Sequence, residues 1–166
     1  MVSEAKLQHA KRVFKKLVDA MRKDDWDFRE VESDLKVISG FSGENVQAGF
    51  SYSVDPEKEL ILFLSPLKLP PMNEKKQYEL AMAVSATNMR LAHGGFDYSY
   101  KKDRLWFRIT NSIRGALIGE DLLKYLLYVG CKTVDDYFEG LEQLANGSIT
   151  LAEYLKMLRK EKKDED

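Results

Sequence analysis

Two segments between residues 95 and 110 alternate strictly between apolar and polar side chains. The apolar positions are Phe96, Tyr98, Tyr100, Leu105, Phe107 and Ile109. Because side chains of a β-strand point alternately to opposite faces, this pattern predicts a β-hairpin with one buried face. A two-residue loop at Lys102-Asp103 would pair Tyr100 with Leu105 and Phe96 with Ile109, and it would leave Trp106 on the polar face. The loop lacks the glycine that such short turns prefer.

The segment before the hairpin predicts a helix that covers the sheet. Asn73 is a favourable residue to begin this helix. His93-Gly94-Gly95 ends it, since glycine readily adopts the left-handed conformation found after a helix C-terminus. Small side chains within the helix would let it lie close to the strands, and they are Ala81, Ala83, Ser85, Ala86 and Ala92.

The first part of the chain predicts one helix and three strands. Apolar residues at three- and four-residue steps indicate an amphipathic helix from Ser3, its N-cap, to about Lys23. Trp26 and Phe28 are expected in a connection that fills the core. The strands are predicted at residues 35–41, 46–54 and 60–64. The last strand is apolar on both faces, which predicts a central strand that is covered on both sides.

The chain after the hairpin is predicted to be helical. A leucine-rich helix is expected to end at Gly130, a second to end at Asn146-Gly147, and a third to begin at Thr150. The element order is α-β-β-β-α-β-β-α-α-α. It predicts an α+β fold, an antiparallel five-stranded sheet with helices packed on it. Residues 1–159 are expected to form a single domain, and residues 160–166 a charged, disordered tail.

Charge is unevenly distributed along the chain. The 166 residues carry a net charge of only −1, which identifies no partner. Residues 1–23 nevertheless contain seven basic and two acidic side chains, whereas residues 24–59 contain ten acidic and three basic ones. Two interpretations are open. The two segments attract each other within the fold, which is the favoured interpretation, or the first helix offers a basic face to an acidic partner.

The expected location is the cytoplasm. A single cysteine, Cys131, excludes an internal disulfide framework and suits a reducing compartment. No apolar run approaches the roughly 18 residues of a membrane span, and the first residues lack the apolar centre of a signal peptide. No membrane partner is therefore predicted.

No group of residues has the composition or spacing of a catalytic or metal site. His9 and His93 are the only histidines and are expected to have structural roles. With a single cysteine and no histidine pair at ligand spacing, a zinc site is not predicted. The acidic clusters at residues 24–27 and 135–136 match no calcium-binding loop, and no glycine-rich nucleotide loop is present. We therefore expect no cofactor, no metal and no enzymatic activity.

Several of these residues together resemble the YbjN domain family, whose members are labelled bacterial sensory transduction regulators. The resemblance spans residues 30–146. It is carried by the strand Glu59 to Leu64, Asn88, Gly95-Phe96, the strand Arg104 to Arg108, and the leucine-rich helix from Glu120 with Tyr137-Phe138 beyond it. Family members typically have an Asp-Gly type of turn in the hairpin, from which Lys102-Asp103 departs.

The resemblance implies a fold similar to class I type III secretion chaperones. Those chaperones are small, cytoplasmic and commonly dimeric, and they bind extended segments of client proteins. The resemblance also implies stress or motility regulation rather than catalysis. The first hypothesis is therefore a non-enzymatic chaperone-like or regulatory adaptor, a homodimer that binds a protein or peptide client. The second is a small-molecule sensor with a pocket between the central helix and the sheet.

The predicted partner-binding residues lie on the hairpin. Trp106 stands between Arg104 and Arg108, and protein interfaces are enriched in aromatic and arginine residues. Tyr98 and Tyr100 are expected behind them. Two alternatives stay open for Trp106, since a C-terminal helix could equally cover it. The same residues could stack on nucleic acid, but without a basic excess no nucleic-acid partner is predicted.

Overall fold

The computed structural model of the protein describes residues 2–161, with side chains described up to residue 159. The helices are α1 (Glu4–Lys23), α2 (Glu74–Asn88), α3 (Glu120–Asn146) and α4 (Leu151–Glu161). The strands are β1 (Phe28–Val31), β2 (Lys36–Ser42), β3 (Gln47–Asp55), β4 (Leu60–Leu67), β5 (Gly95–Ser99) and β6 (Arg104–Ser112). Of the tail predicted at residues 160–166, residues 162–166 lie outside the described residues.

The strands form one antiparallel sheet of six strands in the order β1-β2-β3-β4-β6-β5. The predicted α+β class and antiparallel sheet are confirmed, whereas the prediction of five strands is wrong. The additional strand is β1, which pairs Phe28 with Ser39 and Val31 with Lys36. Its four residues are too few to show a period of two, so the sequence pattern assigns Phe28 to a connection.

Helix α3 is continuous from Glu120 to Asn146, where the sequence pattern predicts two helices. The two predictions differ at Gly130, which the sequence pattern interprets as the end of a helix. Gly130 lies in the middle of α3 against the ring of Phe63 in β4, and a Cβ there would come within 2.6 Å of that ring. The glycine therefore allows helix and strand to approach closely and does not end the helix.

The helices pack on one face of the sheet and enclose the hydrophobic core. The largest side chains of this face are almost fully buried: Phe50, Tyr52, Phe63, Phe96 and Phe107. The ring of Phe63 stacks on Phe50 at a centroid distance of 5.1 Å and meets Phe107 edge-on at 6.5 Å. Burial of each large apolar side chain contributes roughly 1.5–3 kcal/mol. From α2, Leu80 and Ala83 are fully buried, so the core side of this helix is filled.

The β5–β6 hairpin has the predicted faces but not the predicted register. Phe96 pairs with Phe107 and not with Ile109, because four residues, Tyr100 to Asp103, join the strands instead of two. Asp103 has a φ of 49°, a left-handed conformation that Asp tolerates better than most residues, and it ends the turn without glycine. A shift of two residues preserves the faces, so Trp106 stays on the side opposite to Phe107.

Ion pairs join the basic helix α1 to the acidic segment that follows it. Lys6 pairs with Glu59 at 2.7 Å, and Arg22 pairs with Glu30 at 3.0 Å. These contacts support the interpretation that the two segments attract each other. Ion pairs at a protein surface are each worth about 0–1 kcal/mol, so their contribution to the free energy of unfolding is small.

A buried carboxylate of α3 holds the loop between β2 and β3. Asp135 is 6% exposed and accepts hydrogen bonds from the backbone N–H groups of Glu44, Asn45 and Val46 at 2.9–3.0 Å. Burial alone would raise the pKa of Asp135, but the three N–H groups and the charge of Lys132 hold it below its usual value. The carboxylate thus replaces water for three backbone donors.

We expect the Asp135→Asn variant to lose about 1–3 kcal/mol of stability, because an amide cannot replace the carboxylate for three N–H groups. Urea denaturation measures this difference. Since the folded pKa of Asp135 is lowered, its contribution is present above the unfolded pKa of about 3.9 and is lost as the pH falls through the folded pKa. The difference between the two proteins should therefore shrink in acid.

The neighbouring Asp136→Asn variant is the matched control. Asp136 is paired with Lys132 one turn earlier in α3, an interaction worth about 0.3–0.5 kcal/mol. The role assigned to the Asp135 carboxylate would be contradicted if both substitutions lowered the free energy of unfolding equally. It would also be contradicted if the stability difference between the wild type and Asp135→Asn persisted in strong acid.

Candidate protein-binding surface

The second face of the sheet is open. Side chains alternate along β4, so that Ile61 and Phe63 are buried under the helices while Leu60, Leu62 and Leu64 are half-buried on the other side. Within residues 2–161 no helix packs on this second face. The prediction that residues 60–64 are covered on both sides is therefore wrong for this part of the chain. We name this side the open face, and its large apolar residues include Ile38, Leu62, Leu64, Pro66 and Trp106.

Trp106 lies half-buried on the open face, between the exposed side chains of Arg104 and Arg108. The Trp106 indole Nε1 donates to Asp97 Oδ2 at 3.0 Å, and Arg108 Nε donates to the same oxygen at 2.7 Å. Asp97 therefore fixes the orientation of both side chains. The alternative in which a C-terminal helix covers Trp106 does not hold for the described residues, because α3 packs on the side of Phe63, opposite to Trp106, and α4 packs against α2 and α3.

A groove of about 550 Å³ runs beside Trp106, where β4 ends and β6 begins. Its lining includes Leu64, Pro66, Lys68, Leu69 and Arg104. The alternating pattern of the hairpin indicates Trp106 and Arg104, which belong to β6. It misses the residues of β4 and its following loop, because they become neighbours only through the pairing of two strands that are distant in sequence.

The two predicted tyrosines do not join Trp106 on the open face. Tyr98 points to the helix side, where its hydroxyl donates to Asp103 Oδ1 at 2.7 Å. Burial, together with this hydrogen bond, raises the pKa of Tyr98. Tyr100 lies in the hairpin turn and is 56% exposed. The structure thus brings Trp106, Arg104 and Arg108 together and separates the two tyrosines from them.

The two edges of the sheet differ in their capacity to pair with another strand. At the β5 edge, Asn88 of α2 accepts from the backbone N–H of Phe96 and donates to the carbonyl of Phe96, both at 2.8 Å. The amide of Asn88 therefore occupies backbone groups that a further strand would need. At the other edge, β1 pairs with β2 on one side, and no described strand pairs with its outer side. Strand addition is accordingly favoured at β1.

An apolar stripe is exposed along α2. Tyr78, Met82 and Met89 are 60%, 59% and 88% exposed, and the small residues Ala81 and Ser85 lie between them. Their spacing places them on one side of the helix. This stripe lies outside the open face and is a second candidate surface for association.

The residues considered for catalysis or metal binding have structural surroundings. His9 contacts the carbonyl oxygen of Ile113 at 3.0 Å, and His93 packs edge-on against Tyr125. Burial raises the pKa of Cys131 to about 12, so its thiolate form is scarce at neutral pH. Residues 2–161 hold no cluster of three His, Cys, Asp or Glu side chains suited to a metal ion. Over the same residues, no helix has the length and apolarity needed to cross a bilayer.

Three solved structures share the fold. The YbjN protein of E. coli is 12% identical, with a TM-score of 0.58 and coverage of 81% of this chain and 92% of that one. A chain of the HopA1-SchA chaperone-effector complex is 13% identical, with a TM-score of 0.53 and coverage of 80% and 96%. A chain of the ExsC-ExsE complex is 8% identical, with a TM-score of 0.52 and coverage of 80% and 95%. At these identities the likeness shows the fold alone, and it confirms the predicted chaperone-like architecture.

Comparison at the level of sequence identifies the family. No curated protein sequence matches the chain significantly. The model of the family described as "YbjN: Putative bacterial sensory transduction regulator" matches residues 15–143. Because this match covers most of the chain, the protein belongs to the YbjN family.

Proposed function

We propose that the protein is a non-enzymatic, chaperone-like or regulatory adaptor of the cytoplasm that binds a protein or peptide client on its open face. The observation that carries this proposal is the setting of Trp106. A large aromatic side chain lies on an uncovered sheet surface, is oriented in advance by Asp97, and is flanked by Arg104 and Arg108. Aromatic and arginine side chains in such settings dominate the binding energy of protein interfaces.

The open face and the β1 edge support binding of an extended segment. Half-buried Leu62 and Leu64 continue the apolar surface of Trp106 onto the neighbouring strand β4. Beyond them β3 presents Ser51 and Ser53 to this face, and Ile38 of β2 follows. The outer edge of β1 can pair with an extended chain, whereas Asn88 obstructs the β5 edge. The likeness to a chain of a chaperone-effector complex supports the same kind of function.

The sensor hypothesis has less support. It needs a pocket between α2 and the sheet, but Leu80 and Ala83 of α2 and Phe96 and Phe107 of the sheet are each at most 2% exposed. Close packing of this kind leaves little room for a metabolite within the core. An open cavity of about 450 Å³ lies further out between α2 and β5, lined by residues that include Val84, Asn88 and Tyr98.

We propose further that the protein is a homodimer and that the stripe on α2 is the contact between the two copies. Tyr78, Met82 and Met89 form an apolar surface on one side of a helix. Ala81 and Ser85 between them would let a second helix approach closely. A two-fold axis through such a stripe places the same residues on both sides of the contact, as in most homodimers.

The Trp106→Ala variant should lose its client while it stays folded. Loss of a central interface tryptophan typically costs about 2 kcal/mol or more of binding free energy, roughly thirtyfold in Kd. Because Trp106 is only half-buried, the loss of stability should be smaller than the about 3–5 kcal/mol of a buried Trp→Ala change. Affinity capture of the tagged protein from its host, read by mass spectrometry, measures the first effect, and thermal denaturation measures the second.

Tyr128→Ala is the matched control for this experiment, since Tyr128 is a 64% exposed aromatic residue on α3, away from the open face. It should retain every partner that the wild-type protein captures. If Trp106→Ala unfolds, Trp106 is a structural residue, and if it retains the client, the open face is not the binding surface.

The Met82→Glu variant should be monomeric, because dimer formation would bury a charge in an apolar contact. Light scattering coupled to size-exclusion chromatography measures the mass of the particle. Leu117→Glu makes the same kind of change at a 99% exposed leucine outside α2 and should leave the dimer intact. A monomeric wild-type protein, or a dimeric Met82→Glu variant, would refute the proposed contact.

A further inference from the structure

We infer that the groove beside Trp106 binds an extended peptide segment with an acidic side chain two positions from a large apolar one. The inference rests on the proposed function and names the chemistry of the client at that surface. It follows from the charges and the apolar side chains that line the groove.

Two basic side chains stand where the pairing of β4 and β6 ends. The last pair of the ladder on the open face is Pro66 with Trp106. Arg104 is the next residue of β6 on the side of Trp106, and Lys68 follows directly after the last residue of β4. Both side chains are exposed, and both residues line the groove.

These two cations have no acidic partner within residues 2–159. No ion pair of this part of the chain includes Lys68 or Arg104. The acidic residue that lines the groove is Asp103, whose oxygens accept from the Tyr98 hydroxyl at 2.7 Å and from the Gln77 amide at 3.1 Å. These donors are neutral, so Asp103 keeps its negative charge and the groove is lined by two cations and one anion. A carboxylate that enters the groove is therefore attracted by a net positive charge.

The remaining lining of the open-face groove is largely apolar. Leu64, Leu69 and Trp106 are half-buried, and Pro66 is exposed. In an extended segment, side chains two residues apart share a side and lie about 6.6 Å from each other, which is also the spacing of Arg104 and Trp106 along β6. An apolar client side chain against Trp106 therefore brings an acidic one to Arg104.

A peptide suits this surface better than a nucleic acid does. Among the described residues that line the groove, Trp106 is the single aromatic one. Single-stranded nucleic acids instead bind to several aromatic platforms along a continuous basic track. Arg108, the next basic residue of β6, is neutralised by Asp97 at 2.7 Å, which interrupts such a track.

The test selects peptides from a displayed random library on the full-length protein and measures the affinity of the enriched peptide by fluorescence anisotropy. We expect the enriched peptides to share Asp or Glu two residues from Leu, Ile or Phe. The K68Q/R104Q variant should bind about tenfold more weakly, as expected when charge-assisted hydrogen bonds are lost, and should show less salt dependence. The matched control is K11Q/R12Q, which removes two exposed cations from α1 and should leave the affinity unchanged.

The outcomes separate this inference from the proposed function. Unchanged affinity of K68Q/R104Q, or enriched peptides without acidic residues, overturns the inference, and the proposed function survives if Trp106→Ala still abolishes binding. If no peptide is enriched, or if Trp106→Ala binds as tightly as the wild type, both fail. Binding of a fluorescein-labelled oligothymidylate that K68Q/R104Q abolishes would assign the groove to nucleic acid instead. Circular dichroism checks folding, and Arg104→Gln alone serves if the double variant unfolds.

Discussion

The contact between α3 and the central strand β4 organises this fold. At Gly130 the helix has no side chain, and a Cβ there would lie 2.6 Å from the ring of Phe63. Phe63 also contacts the rings of Phe50, Tyr52 and Phe107. One buried ring therefore links the longest helix to strands β3, β4 and β6. Protein interiors are close-packed, so the short separation between α3 and the sheet at Gly130 also limits the separation between their neighbouring residues.

The same contact explains why the sheet has one free face. Helices α1 to α4 gather around the side of Phe63, which leaves Leu62, Leu64 and Trp106 without a covering layer in the described part of the chain. An uncovered sheet is exposed to unwanted pairing at its edges. Asn88 counters this at β5, because its amide bonds to both the N–H and the carbonyl of Phe96. Strand addition is thereby obstructed at the β5 edge, while the open face has no covering layer in the described part of the chain.

Sequence reasoning succeeds here where the information is local. The period of helix α1, its cap at Ser3 and the two faces of the hairpin follow from neighbouring residues, and all three agree with the structure. It fails where distant residues decide. The helical position of Gly130 depends on Phe63, and β1 exists only through its pairing with β2. The hairpin register is a different kind of failure, because the turn is local but Asp103 adopts the left-handed conformation that such turns usually give to glycine. The hairpin pattern therefore indicates Trp106 but not Lys68, which lines the same groove only because β4 pairs with β6.

The distribution of charge gives the open face a preference for its partner. Arg29, Lys36, Arg104 and Arg108 all point to this side of the sheet. Lys36 is paired with Asp34 and Arg108 with Asp97, whereas Arg29 and Arg104 have no ion pair within residues 2–159. Two open faces that met would bury these two unpaired cations in a largely apolar contact, which disfavours stacking on a second copy of the protein. A partner with acidic side chains avoids this penalty and gains attraction. Under the proposed function, the same basic residues would disfavour association of the free protein through its apolar sheet and would favour a client with acidic side chains.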